Sequence, residues 1–343
     1  MRCQWFNRAR SALTPMVICL EAEKVNAHKD LLMKPSGQLR NLGLKHFGPA
    51  AVAFAFVVAG SALAQPSSEL GNESKAAALL EKHAALAAQL TQNQYRRPLF
   101  LESSESADTV SGTAYAVLDS PFSTVSATFK TPSRWCEVLI LHLNTKYCRA
   151  SADTSPSTLA VSIGTKNPQP LKAAFSLEFA YRVAAASPNY LAVQLNADKG
   201  PLSTNNYRLE LQAVPLPDGK TFMHLRYSYG YGMVGRLAMQ TYLATLGRDK
   251  VGFTKINPGK NSAYVGGMRG TMERNTMRYY LAIEAYQASL SQAPAQQFNT
   301  RLQYWFDATE QYSRQLHEVD RKAYLAMKKG EYQRQQASSP SPD

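Results

Sequence analysis

The segment "FMHLRYSYGYGMVGRL", residues 222–237, has two readings, and the choice between them decides the fold. Gly230-Tyr231-Gly232-Met233-Val234-Gly235 has the glycine spacing of a turn that seats a dinucleotide pyrophosphate on a helix N-terminus. The residues before it argue otherwise. Met223, Leu225, Tyr227 and Tyr229 alternate with His224, Arg226 and Ser228, so one face of this strand is apolar and the other polar. The first strand of a dinucleotide-binding unit is parallel, covered on both faces and almost continuously apolar. Asp249 stands at a spacing suited to a ribose contact, but it precedes the strand-like run 251–256 instead of ending one. The glycines are therefore expected to turn the chain between a strand and the helix-like run 233–246.

Working outward, the same period of two fills residues 158–229. Phe175, Leu177, Phe179, Tyr181 and Val183 share one face, as do Leu191, Val193 and Leu195, and Tyr207, Leu209 and Leu211. Ser187-Pro188-Asn189, Asp198-Lys199-Gly200-Pro201 and Pro217-Asp218-Gly219 mark the turns. Alternation with short connections predicts an antiparallel sheet with one wet face. Thr113, Tyr115 and Val117 predict an earlier strand, followed by two short helices over 122–130 and 133–143 that start beside Pro121 and Pro132.

Helices flank this sheet in the sequence. Ala76, Leu79, His83, Leu86 and Leu90 give an amphipathic helix over 73–91. After Gly266-Gly267-Met268-Arg269-Gly270, residues 271–290 carry apolar side chains over much of a helix circumference, which predicts a buried helix. Residues 296–330 place Phe298, Leu302, Trp305, Thr309, Tyr312, Leu316, Val319, Ala323 and Ala326 at spacings of four and three. That is a heptad seam, and it predicts one helix over 295–330 available for coiled-coil pairing. The tail, 331–343, is polar and expected to be disordered.

The start of the chain reads as targeting sequence. A basic segment from Met33, an apolar run over 47–60 and Ala62-Leu63-Ala64 follow the layout of a cleavable secretory signal. Translation is then expected to begin at Met33, leaving 1–32 outside the protein, and cleavage near Ala64 to release a periplasmic or secreted product. Of the formal charge of +13, residues 1–64 hold +5, leaving +8 on the remainder with no polybasic block. Scattered positive charge suits transient contact with anionic membrane surfaces, and an exported chain is not expected to meet nucleic acid. Cys136 and Cys148 are the cysteines that remain, an even pair that predicts a disulfide in an oxidising compartment.

The order strand, paired helices, antiparallel strands and long closing helix resembles the START-like (SRPBCC) superfamily, which also contains the polyketide cyclases. Its carriers are "GTAYAVLDSPFSTVSATFKTPSRWCEVL" (residues 112–139) and "GGMRGTMERNTMRYYLAIEAYQASL" (residues 266–290), within a domain over 97–291. The resemblance implies an α+β helix-grip fold, a curved antiparallel sheet around a long C-terminal helix, with the helices at 65–96 and 295–330 as additions. It implies a cavity for a hydrophobic small molecule or lipid, bound without a cofactor. Tyr115, Phe179, Tyr181, Tyr227 and Tyr229 are the expected contributions of the sheet, and Met277, Tyr280 and Leu281 those of the helix. Tyrosine suits such a site because its ring is apolar and its hydroxyl can orient a polar group.

Further residues attach to this reading. Met233, Leu237, Met239 and Leu243 suit a flexible gate. Arg269, Arg274 and Arg278 suit an anionic head group, with pairing to Glu273 as the alternative. No zinc-binding or serine-hydrolase motif is present, and His142 is the candidate general base if the protein acts on an aromatic substrate as a cyclase or hydrolase. Three functions stay open on the sequence: a carrier or sensor of a hydrophobic molecule, a homo-oligomeric module paired through the C-terminal helix, and such an enzyme.

Overall fold

The structure, a computed structural model, describes residues 66–151, 157–233, 235–237, 250–256 and 262–337. The leader expected over 33–64, the segment 1–32, Met239, Leu243, Asp249 and the end of the tail lie outside these residues.

Eight strands form one antiparallel sheet: β1 (Leu99–Glu105), β2 (Thr109–Leu118), β3 (Thr145–Ala150), β4 (Thr158–Ile163), β5 (Phe175–Ser187), β6 (Tyr190–Lys199), β7 (Thr204–Pro215) and β8 (Thr221–Tyr231). Their spatial order is β1-β2-β8-β7-β6-β5-β4-β3. β3 to β8 is a meander, and β8 then pairs with β2, Val110 opposite Tyr229 and Ala114 opposite Leu225. The crossover from β2 to β3 carries α3 (Phe122–Phe129) and α4 (Pro132–Leu139), helices named here after α1 (Pro66–Ala85) and α2 (Ala87–Thr91). Pro121 precedes the first turn of α3, and Pro132 opens α4, a position where proline's missing N–H costs nothing. Cys136 on α4 is bonded to Cys148 on β3, with the Cα atoms 5.1 Å apart. β9 (Lys255–Ile256) and β10 (Ala263–Tyr264) form a separate two-stranded ribbon.

The long helix α5 (Gly267–Ser289) lies on one face of the sheet, against β1, β2 and β8. Its approach to β2 is set by small residues: Gly112, Ala114 and Ala116 are fully or nearly fully enclosed on the α5 side. A side chain at 112 would collide with Met272 and Thr276. The large residues of β2 go to the opposite face. Tyr115 stacks on His224 at 4.6 Å and on Phe222 at 6.2 Å, with the Lys82 ammonium of α1 4.9 Å from its ring. Tyr115 is thus excluded from the face gripped by α5, contrary to the expectation from alternation. Both faces of β2 are covered, so which face meets α5 is decided by how closely the helix must approach.

That opposite face carries a second apolar cluster in which Ala76, Leu79, Leu86 and Leu90 of α1, α2 and their joint pack on Ala185, Tyr190, Val214 and Phe222. β5 contributes to both layers because a bulge between Val183 and Ala185 changes the face of its alternation.

The helix expected over 295–330 is instead three: α6 (Pro294–Glu310), α7 (Ser313–Leu316) and α8 (Arg321–Ala337). Breaks at 311–312 and 317–320 fold α8 back on α6 and β3. The apolar seam is spent inside the molecule. Leu302, Trp305, Thr309 and Leu316 are buried, Trp305 stacks on Tyr324 at 4.9 Å, and its indole N–H donates to the Arg278 carbonyl. A coiled-coil seam offered to a second chain is therefore absent among the described residues, and self-assembly through it loses its basis.

The docking of α8 also contains charge. Lys328 donates to the carbonyls of His142 and Thr145 and to Glu331, whose other oxygen accepts from Lys146 at 3.0 Å. All three side chains are buried, so each charge has lost water and depends on the others. Among the described residues no helix is long and apolar enough to cross a membrane.

Candidate functional site

Between α5 and the sheet, the strand ends nearest the glycine-rich turn bring together an aromatic group. Tyr227 and Tyr229 of β8 meet Tyr207 of β7, which stacks on Tyr229 at 5.3 Å, and Phe179 of β5 meets Tyr207 edge-on at 6.4 Å. From α5, Tyr279 stands edge-on to Tyr227 at 5.2 Å and stacks on His142 at 4.9 Å. Offset and edge-on pairs of this kind add to burial because the positive rim of one ring meets the negative face of the next. Alternation in three strands and one helix face thus converges on a single contiguous surface.

The hydroxyls separate structural tyrosines from available ones. Tyr181 donates to the Phe129 carbonyl at 2.8 Å, which ties β5 to the end of α3, and Tyr207 bonds Thr204. No hydrogen bond joins the hydroxyls of Tyr227, Tyr229 and Tyr279 to another described residue. Burial, reinforced by neighbouring phenols, holds all three pKa values above the ordinary tyrosine value. They are neutral O–H groups at physiological pH, able both to donate and to accept.

His142 completes the polar lining and is equally neutral. Burial holds its pKa well below the imidazole range, with Arg278, Lys328 and Lys166 acting the same way. Its Nδ1 accepts the Asn144 N–H at 3.2 Å, which places the ring proton on Nε2. Nε2 meets hydrogen-bond geometry with no described group, although Asn275, one turn before Tyr279, favours its protonated form. No carboxylate stands against the ring to raise its basicity. The arrangement suits a fixed polar contact and lacks what a general base needs.

The remaining expectations are redistributed. Phe179, Tyr227 and Tyr229 belong to the cluster, whereas Tyr181 has its hydroxyl committed elsewhere. Tyr280 donates to Glu284, the ion-pair partner of Arg97, on the side of the helix toward β1. Met277 and Leu281 follow Thr276 by one and five positions, which turns them ~100–140° around the helix from the residue that meets β2. They are fully buried in the same core cluster as Tyr207, Tyr227 and Tyr229. Tyr207 and Tyr279 join the expected residues, both visible in the sequence as members of apolar stripes but not separable there from ordinary core.

The arginines are likewise engaged in the fold. Arg278 binds Glu318 at 3.0 Å and the Leu316 carbonyl, Arg274 the Val251 carbonyl, and Arg269 the Ser103 hydroxyl. Glu273 accepts from Ser103 and from the Phe253 and Thr254 amides. Of the four gate residues, Met233 and Leu237 are exposed, at 89% and 67%.

No protein-family model matches the sequence, and neither does any curated protein. Solved structures do. Norcoclaurine synthase from Thalictrum flavum is 10% identical at a TM-score of 0.30, covering 42% of this chain and 91% of its own. Human StAR-related lipid transfer protein 5 is 12% identical at 0.28, over 50% of this chain and 90% of its own. The Zhui aromatase/cyclase from Streptomyces sp. R1128 is 9% identical at 0.30, over 41% and 86%. Likeness at this level carries no argument, and the strand order with α5 seated on the sheet carries the assignment by itself. The fold is a helix grip. Relative to that architecture, α1, α6 and α8 are additions that cover the outer sheet face and the back of the closing helix.

Proposed function

We propose that this START-like protein is an exported, non-catalytic carrier or sensor of a small hydrophobic molecule that has a polar group. The observation that carries the reading is the set of hydroxyls on Tyr227, Tyr229 and Tyr279, unpartnered among the described residues within an otherwise apolar aromatic cluster. Hydroxyls set among aromatic rings beneath a gripping helix suit a ligand that carries a polar group. The rings already lie 5.2–5.9 Å apart, so a guest enters by displacing or interleaving them and has to be compact or flat. Neutral phenols and a neutral imidazole favour an uncharged polar group such as a hydroxyl or carbonyl. The secretory pattern before Gln65 and the Cys136–Cys148 bond support an oxidising compartment.

The test is native mass spectrometry of the protein isolated from a periplasmic extract, followed by uptake of 1-naphthol by the ligand-free form. A stoichiometric small-molecule adduct, and naphthol binding weakened in the Tyr227→Phe/Tyr229→Phe/Tyr279→Phe variant, are expected. An adduct-free protein that takes up no naphthol, or a triple variant binding as tightly as the parent, overturns the proposal.

A further inference from the structure

A cavity lies outside the grip. It measures about 230 Å³ and is bounded by Gln94 and Tyr95 before β1, by Phe253 and Tyr264 of the segment ahead of α5, and by the corner between α6 and α7. Its aromatic walls are fixed by bonds made elsewhere. Phe253 stands 5.8 Å from Tyr95 and edge-on to Tyr312 at 5.6 Å. The Tyr312 hydroxyl donates to the Tyr95 carbonyl, Gln94 Nε2 donates to the Phe253 carbonyl, and the Phe253 amide donates to Glu273. These contacts within the protein set the spacing of the rings, and walls held in place in this way lower the cost of binding.

Two polar groups at this cavity have no protein partner among the described residues. Gln315 is only 7% exposed and lines the cavity, yet its carboxamide makes no hydrogen bond there. A carboxamide that lines a cavity without a protein partner is available to a polar group of a ligand. Arg314 lies at the rim with its guanidinium 4.9 Å from the centre of the Tyr264 ring and no acidic partner among the described residues. No carboxylate lines the cavity. Stacking on Tyr264 holds the guanidinium in place while leaving its N–H edge open, the form in which arginine recognises a carboxylate by two parallel hydrogen bonds.

We propose that this cavity binds a small aromatic carboxylate, its ring between the walls formed by Tyr95, Phe253 and Tyr312, its anionic group on Arg314, and a polar ring substituent on Gln315. The volume lies below the ~300 Å³ at which drug-sized sites begin, so the ligand has a single ring. This site is built by the corner that interrupts the C-terminal helices, is separate from the tyrosines under α5, and does not depend on the carrier reading.

The experiment is calorimetric titration of the full chain with 4-hydroxybenzoate and with its uncharged counterpart p-cresol. Saturable 4-hydroxybenzoate binding is expected. Arg314→Ala should weaken it about tenfold, a loss of ~1.4 kcal/mol, while p-cresol affinity stays unchanged. Gln315→Leu should weaken both compounds, and Tyr227→Trp, which addresses the grip, should weaken neither. Arg314 is exposed, so its variant keeps the fold, and circular dichroism on each variant checks this. Absence of saturable binding, 4-hydroxybenzoate affinity unchanged in Arg314→Ala, or loss of binding in Tyr227→Trp alone would each overturn the assignment.

Discussion

Gly112 of β2 sits against Thr276 of α5 with no room for a side chain between them. The contact fixes how deeply the helix seats in the sheet, because Met272, one turn earlier, closes over the same glycine. Thr276 is fully buried and its hydroxyl has no partner. Gly112→Val should lift α5 from β2 and cost about 1–3 kcal/mol as an overpacking change, read as a lower urea midpoint. Thr276→Val keeps the shape and removes the unpaired hydroxyl, so it should be neutral or stabilising by up to about 1 kcal/mol. Equal losses in the two variants would mean that the hydroxyl is satisfied in solution.

Much of this arrangement is legible in the sequence. The alternation of β5 to β8, broken in β5 by the bulge at Val183–Ala185, and the all-round apolar character of residues 271–290 reach the sheet and its closing helix without further information. β2 is the instructive failure. Period two says that Tyr115 and Ala114 face opposite ways, but only the depth of α5 determines that the alanines and Gly112 face the helix. Spacings of four and three at 298–326 are equally those of a coiled coil and of helices packed on their own core. The breaks near Gln311 and Val319 contain neither glycine nor proline to announce them. The cavity at the corner of α6 and α7 was not legible at all, since its walls come from segments joined only by tertiary folding.

The two kinds of buried tyrosine should separate under the same substitution. Tyr181→Phe removes a 2.8 Å hydrogen bond to the Phe129 carbonyl and should cost about 0.5–1.5 kcal/mol. The Trp135 indole N–H still donates to that carbonyl at 3.1 Å, which keeps the loss at the lower end. Tyr227→Phe removes a hydroxyl without a partner among the described residues and should change stability by less than about 0.5 kcal/mol while reducing ligand retention. Chemical denaturation of both variants decides the matter. A Tyr227→Phe loss as large as that of Tyr181→Phe would assign its hydroxyl to the fold.

Two imidazoles make the fold sensitive to acid. His142 is held well below the normal range chiefly by burial, and His224 is pushed down to about 4 by burial, with Arg226 and Lys82 adding to it. In the unfolded chain both protonate below about 6.5, so that state then binds more protons than the folded one. Their full contribution to stability is present above pH 6.5 and declines as pH falls toward the folded values, by up to about 1.4 kcal/mol per pH unit for each ring. Urea midpoints between pH 7 and 5 should fall accordingly. His224→Phe, which preserves the stacking on Tyr115, should fall about half as steeply.

Glu331 is the anion on which the docking of α8 depends. Its two oxygens take the ammonium groups of Lys146 and Lys328, both wholly buried, and Lys328 also binds two backbone carbonyls near the start of β3. Glu331→Gln leaves these cations without a counter-charge in a place water does not reach. The expected cost is about 3–5 kcal/mol, as for other buried pairs broken from one side. The loss should be local before it is global, because α8 is the last described element and packs chiefly on β3 and α6. Amide exchange over 321–337 should therefore accelerate while β6 and β7 remain protected. Uniform loss of protection across the sheet would instead show that α8 is a cooperative part of the grip rather than a separately docked addition.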